Sequence, residues 1–266
     1  MQYSTCKKCL SNRGVETLSG KNIAIIGGTG FESVPPEIFT EAVEVQTRTG
    51  TVSLLSLSHN YVEPYKLYFL TRHGANHSIP PHKIDYAANI LALQALEVGT
   101  IFATNAVGSL RQDTPPSSLV LFDDFIDFTS QRDKTLFSPN SDWRHTDFSV
   151  PYSPRLRNAI LQASNEMQVE VRPNGTYLCV EGPRFESPAE IKMFAQWGAD
   201  VIGMTGLPEA VFAREAGIEY AGLGIVTNYA AGIAPAPISH EENQHIAIEV
   251  SSVVRELLLL ATSYLV

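Results

Sequence analysis

Two stretches of this chain place anion-binding chemistry at the end of an apolar run. IIGGTGF, residues 25 to 31, closes with Thr29 among glycines, whose bare backbone lets N–H groups approach an anion closely. TRHGANHSIPPHK, residues 71 to 83, sets Arg72 and His73 at the end of the run KLYFLT. A guanidinium offers phosphate a planar fork and an imidazole adds a donor; the alternative is a turn in which Arg72 pairs with an acid. TNAVGSL (104–110) and VIGMTGLPEA (201–210) supply small polar residues and open backbone, with Asn105, Ala106, Met204 and Thr205 as points of contact. EGPRFESPAE (181–190) brings Phe185 and Glu186 to the start of a helix, and IVTNYAAG (225–232) ends a strand on Asn228 with Ala230 behind it. Each stretch alone reads equally well as a turn, a loop or core.

Two other chemistries fit poorly. A dinucleotide site needs GxGxxG opening a helix, whereas Ser33 occupies the third position and Pro35 and Pro36 follow. A metal site from His73, His77 and His82 would have to span Pro80 and Pro81 without a carboxylate ligand. Neither a metal nor an organic cofactor is expected.

The elements that must position these residues alternate. KNIAIIGGTG, KLYFLTRHG, GTIFATNAVGS, SSLVLFDDFIDF, GTYLCVEGP, ADVIGMTG and IEYAGLGIVTN read as strands, most of them closing on Gly, Thr, Asn or Arg. DYAANILALQALEVG carries helical spacing up to Gly99, read as its C′ residue. SPAEIKMFAQWG opens on Ser187 with Pro188 at N1 and Glu190 closing a capping box, and it stops at Gly198. SHEENQHIAIEVSSVVRELLLL repeats the device with Ser239 and Glu242. Strands alternating with helices predict an α/β fold, one domain with a mixed, largely parallel central sheet flanked by helices, and ligands at the carboxyl ends of the strands.

Composition agrees with a folded enzyme of this kind. The 266 residues are 44% hydrophobic and 18% charged, and no linker divides them, so residues 21 to 266 are read as one domain behind a tail of residues 1 to 20. A net charge of −9 argues against a nucleic-acid partner, which would need a basic surface. The C-terminal LLLLATSYLV is too short to span a bilayer and reads as a core-facing helix, so no membrane partner is expected. Three cysteines and an N-terminus without an export signal point to the cytoplasm. The CxxC of Cys6 and Cys9 has no second pair to complete a zinc site and reads as part of the tail.

Taken together and in this order, GGTGF, TRHG, NAVGS, EGPRFES, GMTGLPEA and the TN strand end resemble the trimeric purine nucleoside phosphorylases, in the branch with the methylthioadenosine and methylthioinosine phosphorylases. The resemblance runs from about Lys21 to the C-terminus and implies a phosphorylase/hydrolase-like fold. It implies phosphorolysis, in which inorganic phosphate attacks the anomeric carbon of a purine nucleoside and leaves free base and a pentose 1-phosphate. It also implies a homotrimer or a dimer of trimers. Carried over by motif, phosphate would meet Thr29, Arg72, His73, Asn105, Ala106 and Thr205. Met204 would lie against the ribose and Phe185 near base and sugar, with Asn228 and His73 the catalytic groups.

The base follows from complementarity. A 6-oxopurine presents O6 and N7 as acceptors and N1–H as a donor, which an amide and a carboxylate satisfy. Relatives that cleave adenine nucleosides typically carry Asp at the place of Asn228, a second Asp near Ala230 and a small residue near Glu186, so this chain matches inosine or guanosine. The 5′ group is balanced between two signals. His240 in SHEEN resembles the histidine that reaches a 5′-hydroxyl, whereas RHTDFSVPYS resembles the methylthioinosine branch, whose pocket is completed by a neighbouring subunit at a residue such as His145. S-methyl-5′-thioinosine phosphorolysis is therefore the alternative. Methylthioadenosine phosphorylase, a non-catalytic nucleoside-binding protein, and a histidine phosphatase suggested by the RHG of TRHG are the more distant ones. The phosphatase box belongs on a first strand, and here NIAIIGGTG precedes it.

Overall fold

The structure is a computed structural model, and it describes residues 22–31, 39–57, 65–74, 77–138, 143–235 and 237–265. Cys6 and Cys9 lie outside the described residues. The expected architecture is present: one mixed, largely parallel sheet with helices on both faces.

A twelve-residue strand, β5 (Val98–Ser109), runs through the middle of the sheet. β1 (Asn22–Gly27) and β11 (Glu219–Tyr229) lie parallel to it on either side, and β4 (Leu67–Thr71) lies parallel to β1. Alternate residues of β1 serve opposite cores. Ala24 and Ile26 join α1 (Tyr86–Ala95) and α4 (Glu209–Glu215), whereas Ile23 and Ile25 join α2 (Pro154–Met167) and α5 (His240–Ser263). A strand covered on both faces reads as a continuous apolar run, which is why NIAII and KLYFL could be recognised as strands.

The topology creates the site. β1 pairs with the first half of β5, ending at Ile26 opposite Ala103. β10 (Val201–Gly203) approaches the same edge of β5 from the other end and antiparallel, with Val201 opposite Ser109 and Ile202 opposite Gly108. The loops that follow Gly27 and Gly203 therefore converge on residues 104 to 107 of β5, and β4 delivers Arg72 and His73 next to them because Gly27 faces Thr71. β9 (Thr176–Cys179) and β7 (Asp124–Asp127) extend the sheet beyond β10, and β6 (Leu119–Leu121) and β8 (Val171–Arg172) extend it beyond β11. The hairpin of β2 (Phe39–Gln46) and β3 (Thr51–Leu57) forms the edge beside β4.

Several boundaries differ from expectation. SSLVLFDDFIDF is two strands, β6 and β7, rather than one. The hairpin, β8, α2 and α4 are additional elements. Helix α1 stops at Ala95; Glu97, at φ 54°, takes the left-handed conformation expected of Gly99, which instead lies inside β5. α3 (Pro188–Gln196) has the full capping box of Ser187 and Glu190, and Gly198 follows its C-cap at φ 93°. Ser239 caps α5 by accepting from the Glu242 N–H, and Leu257, Leu258 and Ala261 near its end are buried. No helix among the described residues is long and apolar enough to cross a membrane.

Candidate active site

A cavity of about 540 Å³ opens where the strand ends converge. Thr29, His73 and Thr205 reach it from just beyond β1, β4 and β10, Ala106 from within β5, Phe185 and Glu186 from the loop before α3, Met204 from the loop after β10, Asn228 from β11, and His240 from the first turn of α5. Arg72, Asn105, Ala230 and His145 do not line it.

The side of the cavity lined by Thr29, His73 and Thr205 is built on backbone approach. The Gly28 N–H donates to Thr104 Oγ1 at 3.0 Å, fixing the glycine loop against β5. A Cβ at Gly28 would sit 2.9 Å from both Arg72 Nη1 and the Thr104 carbonyl oxygen, so any larger residue would push this loop away. His73 Nδ1 lies 2.8 Å from the Ile79 carbonyl, which can only accept, so Nδ1 carries a proton. The ring stacks on His77 with 4.2 Å between centroids. The Thr205 hydroxyl accepts from Asn105 Nδ2 at 3.0 Å, which frees its own hydrogen for donation. The Thr205 and Gly206 N–H groups donate to the Tyr177 hydroxyl at 3.2 and 3.0 Å, and burial holds that phenol well above its ordinary pKa. The Thr205 N–H is thus engaged within the protein, which leaves its hydroxyl hydrogen for a ligand.

Two expectations on this side are corrected. The Arg72 fork closes on Glu209, with Nε and Nη2 each 2.7 Å from a carboxylate oxygen, while Nη1 donates to the Thr104 carbonyl at 2.7 Å. Arg72 thus pairs with an acid, in the core rather than in a surface turn, and burial is offset by Glu209, which keeps it ionised. Asn105 acts on the cavity through Thr205 rather than by lining it.

Glu186 is 9% exposed, and burial raises its pKa. Asn228 sits where the register of β11 shifts, between Val226 opposite Val107 and Asn228 opposite Gly108. A bulge of this kind re-aims the side chain that follows it. The strand continues to Tyr229, one residue past the expected end. Ala230 is 2% exposed and packs with Leu178, Ile191 and Ile202, so it is core rather than a nucleoside contact. Gly182, at φ 69°, lets Met204 close over the loop, because a Cβ there would meet Met204 Sδ at 2.5 Å. His145 is exposed, its ring centroid 5.5 Å from that of Trp143, and it does not line the cavity.

Several residues that shape the site escaped the sequence reading. Asn243 and Gln244 line the cavity, three and four residues after His240 and so on the same helix face. That spacing was the available signal. Arg132 had none. Its Nη1 donates to the Met204 and Leu207 carbonyls at 2.7 and 2.6 Å, its Nη2 to the Glu181 carbonyl at 2.8 Å, and its Nε to Glu181 Oε1 at 2.8 Å. One guanidinium thereby ties the EGPRFES loop to the GMTG loop. Burial pushes the Glu181 carboxyl up, but the Ser130 and Gln131 N–H groups and Arg132 outweigh it and hold it at about 2. A depressed carboxylate contributes stability above its unfolded value that is lost as pH falls toward 2. Arg132→Lys cannot reach all these acceptors at once. It is expected to cost about 2 kcal/mol and to lower Tm by about 4–8 °C in a thermal scan. An unchanged Tm would remove Arg132 as the tie between the loops.

The family model that matches this chain is the phosphorylase superfamily, over residues 22–262. A probable 6-oxopurine nucleoside phosphorylase of Dictyoglomus turgidum is 46% identical over 237 residues, covering 88% of each chain. The 6-oxopurine nucleoside phosphorylase of Pyrococcus furiosus is 42% identical over 245 residues, covering 90% of this chain and 91% of that one. A probable S-methyl-5′-thioinosine phosphorylase of Methanopyrus kandleri is 41% identical over 236 residues, covering 88% and 86%. Among solved structures, the methylthioadenosine phosphorylase of Schistosoma mansoni in complex with adenine superposes with a TM-score of 0.84 at 30% identity, covering 91% of each chain.

Proposed function

The chain belongs to the phosphorylase superfamily, and from that premise we propose that it cleaves 6-oxopurine nucleosides, inosine and guanosine, with inorganic phosphate to give the free base and a pentose 1-phosphate. The carrying observation is that one cavity joins Thr29, His73, Ala106 and Thr205, read here as the anion cradle, to an amide and a carboxylate, Asn228 and Glu186. The amide suits O6 and N7, and the carboxylate suits N1–H. The reading uses no cofactor, and phosphate is a substrate. It is a cytoplasmic salvage activity of a homotrimer or dimer of trimers, in which His145 completes a neighbouring cavity.

The chemistry is electrostatic. As the glycosidic bond stretches, positive charge grows on the ribose and negative charge on the purine. Phosphate held by the strand ends stabilises the first, and the Asn228 N–H stabilises the second at N7. Holding phosphate, sugar and base in line supplies the rest. His240, Asn243 and Gln244 make the α5 side of the cavity polar, which favours a 5′-hydroxyl. The methylthioinosine alternative finds support in the name of the Methanopyrus kandleri relative. Base release from inosine, guanosine, methylthioinosine, adenosine and methylthioadenosine, with and without phosphate, separates these readings. Faster cleavage of the adenine nucleosides would sink the base assignment, and activity independent of phosphate would sink the reaction.

Glu186 gives this reading a pH signature. Burial favours its neutral form, so the carboxylate that accepts from N1–H is lost at a higher pH than for an ordinary glutamate, about 4.3. kcat/KM for inosine, which reports the free enzyme, is expected to fall on the acid side with a midpoint above that value. Once N1–H donates to the carboxylate its charged form is favoured, so the limb in kcat lies lower. Glu186→Gln is expected to abolish the difference between the two limbs. A profile identical in wild type and variant would show that Glu186 does not face the base.

A further inference from the structure

Asn228 is held on both ends of its amide, and the partners decide which end faces which way. Its Nδ2 donates to the Tyr229 carbonyl at 2.9 Å, and a carbonyl can only accept. Its Oδ1 lies 3.1 Å from the Thr227 hydroxyl and accepts from Asn243 Nδ2 at 3.0 Å. We propose that Asn243, one turn into α5, is a positioning residue that fixes the Asn228 amide with its N–H toward the base and thereby sets the preference for 6-oxopurines. This rests on the reading of Asn228 as the donor to the purine.

Oδ1 accepts from Asn243 and shares the single Thr227 hydroxyl hydrogen with the Val107 carbonyl, 3.4 Å from that hydroxyl, so turning the amide over would set an oxygen against the Tyr229 carbonyl and an N–H₂ against the Asn243 N–H₂. The second hydrogen of Nδ2 is then the one presented to a ligand. Gly108 keeps that approach open, because a Cβ there would lie 3.2 Å from Asn228 Nδ2. Helix α5 sets where Asn243 stands: its backbone N–H donates to the Ser239 carbonyl at 3.2 Å, in the turn capped by the Ser239 hydroxyl, which places the side chain opposite Asn228. A flipped amide would offer an oxygen to O6 and N7 of inosine and to the amino group of adenosine. Mismatched polar groups at such a site discriminate by orders of magnitude.

Asn243→Asp removes the donor and sets a carboxylate against Asn228 Oδ1, whereas Asn243→Leu removes the donor alone. In the purified enzyme, the ratio of kcat/KM for inosine to that for adenosine is expected to fall at least about tenfold in Asn243→Asp and about threefold in Asn243→Leu. KM for phosphate should stay within about twofold, which separates loss of amide orientation from general loosening of the site. Wild-type enzyme that is active on inosine, with an unchanged ratio in both variants, overturns the inference and leaves the functional reading standing. Wild-type enzyme that releases no base from inosine overturns that reading and the inference with it.

Discussion

Asn228→Asp is expected to lower kcat/KM for inosine about a hundredfold or more. The carboxylate keeps the oxygen that accepts from Asn243 and Thr227, so the local scaffold on that side persists. At the other position, an oxygen replaces the N–H₂ now 2.9 Å from the Tyr229 carbonyl, and it faces that carbonyl and the two purine acceptors at once. Loss of one preorganised donor to a departing group costs about 3 kcal/mol, and each 1.36 kcal/mol is a factor of ten in rate. Adenosine, with a donor at N6, suits the new acceptor, but its N1 lone pair still faces Glu186. Measurable adenosine cleavage is therefore expected only when Glu186 is replaced as well. Steady-state rates on both nucleosides check this, and a single variant with unchanged preference would show that Asn228 does not touch the base.

Legibility in the sequence followed how locally each residue acts. The strands were readable because burial on both faces writes continuous apolar runs, and the glycine and small polar residues that end them are the ones that reach the cavity. In the β2–β3 hairpin, β3 alternates buried and exposed residues while residues 41 to 46 of β2 are only exposed or half-buried, a weaker signal, and the hairpin lies on the edge of the sheet away from β5. Arg72 was singled out correctly as a strand-end arginine, but its partner lies 137 residues away on α4. In the sequence, Glu209 looks like an ordinary acid in the first turn of a helix. Arg132 is less legible still. It lies in irregular chain and bonds mainly to backbone carbonyls, which every residue possesses, so no choice of residue type at positions 204 or 207 could reveal it. The base side was legible in chemistry but not in geometry. Asn228 and Glu186 stood out by type, whereas the bulge at Thr227 and the hold from Asn243 depend on how α5 lies against β11.

The buried pair beneath the anion loop carries the largest expected effect on stability. Arg72 and Glu209 are fully enclosed, Tyr220 donates to Glu209 Oε1 at 2.7 Å, and the remaining donor of Arg72 holds the Thr104 carbonyl. Glu209→Ala would leave a guanidinium with no counter-charge and no water. Breaking a buried pair in this way costs about 3–5 kcal/mol, because the isolated charge is what the core cannot solvate. In a protein of this length the melting temperature should fall by about 10 °C. The pair itself need not be a net source of stability, since an apolar replacement of similar volume removes the desolvation of both ions. Arg72→Met combined with Glu209→Leu is therefore expected to recover most of the stability lost by the single change. It should not recover function to the same degree. Arg72 Nη1 packs against Gly28 and fixes Thr104, whose hydroxyl in turn accepts from the Gly28 N–H, so its removal loosens the strand end that carries Thr29 to the cavity. KM for phosphate should rise several-fold in the double variant while KM for inosine changes less. A Glu209→Ala protein as stable as wild type in denaturant titration would contradict the buried-charge argument. A refolded double variant with wild-type KM for phosphate would show that the Arg72–Glu209 pair serves the fold alone.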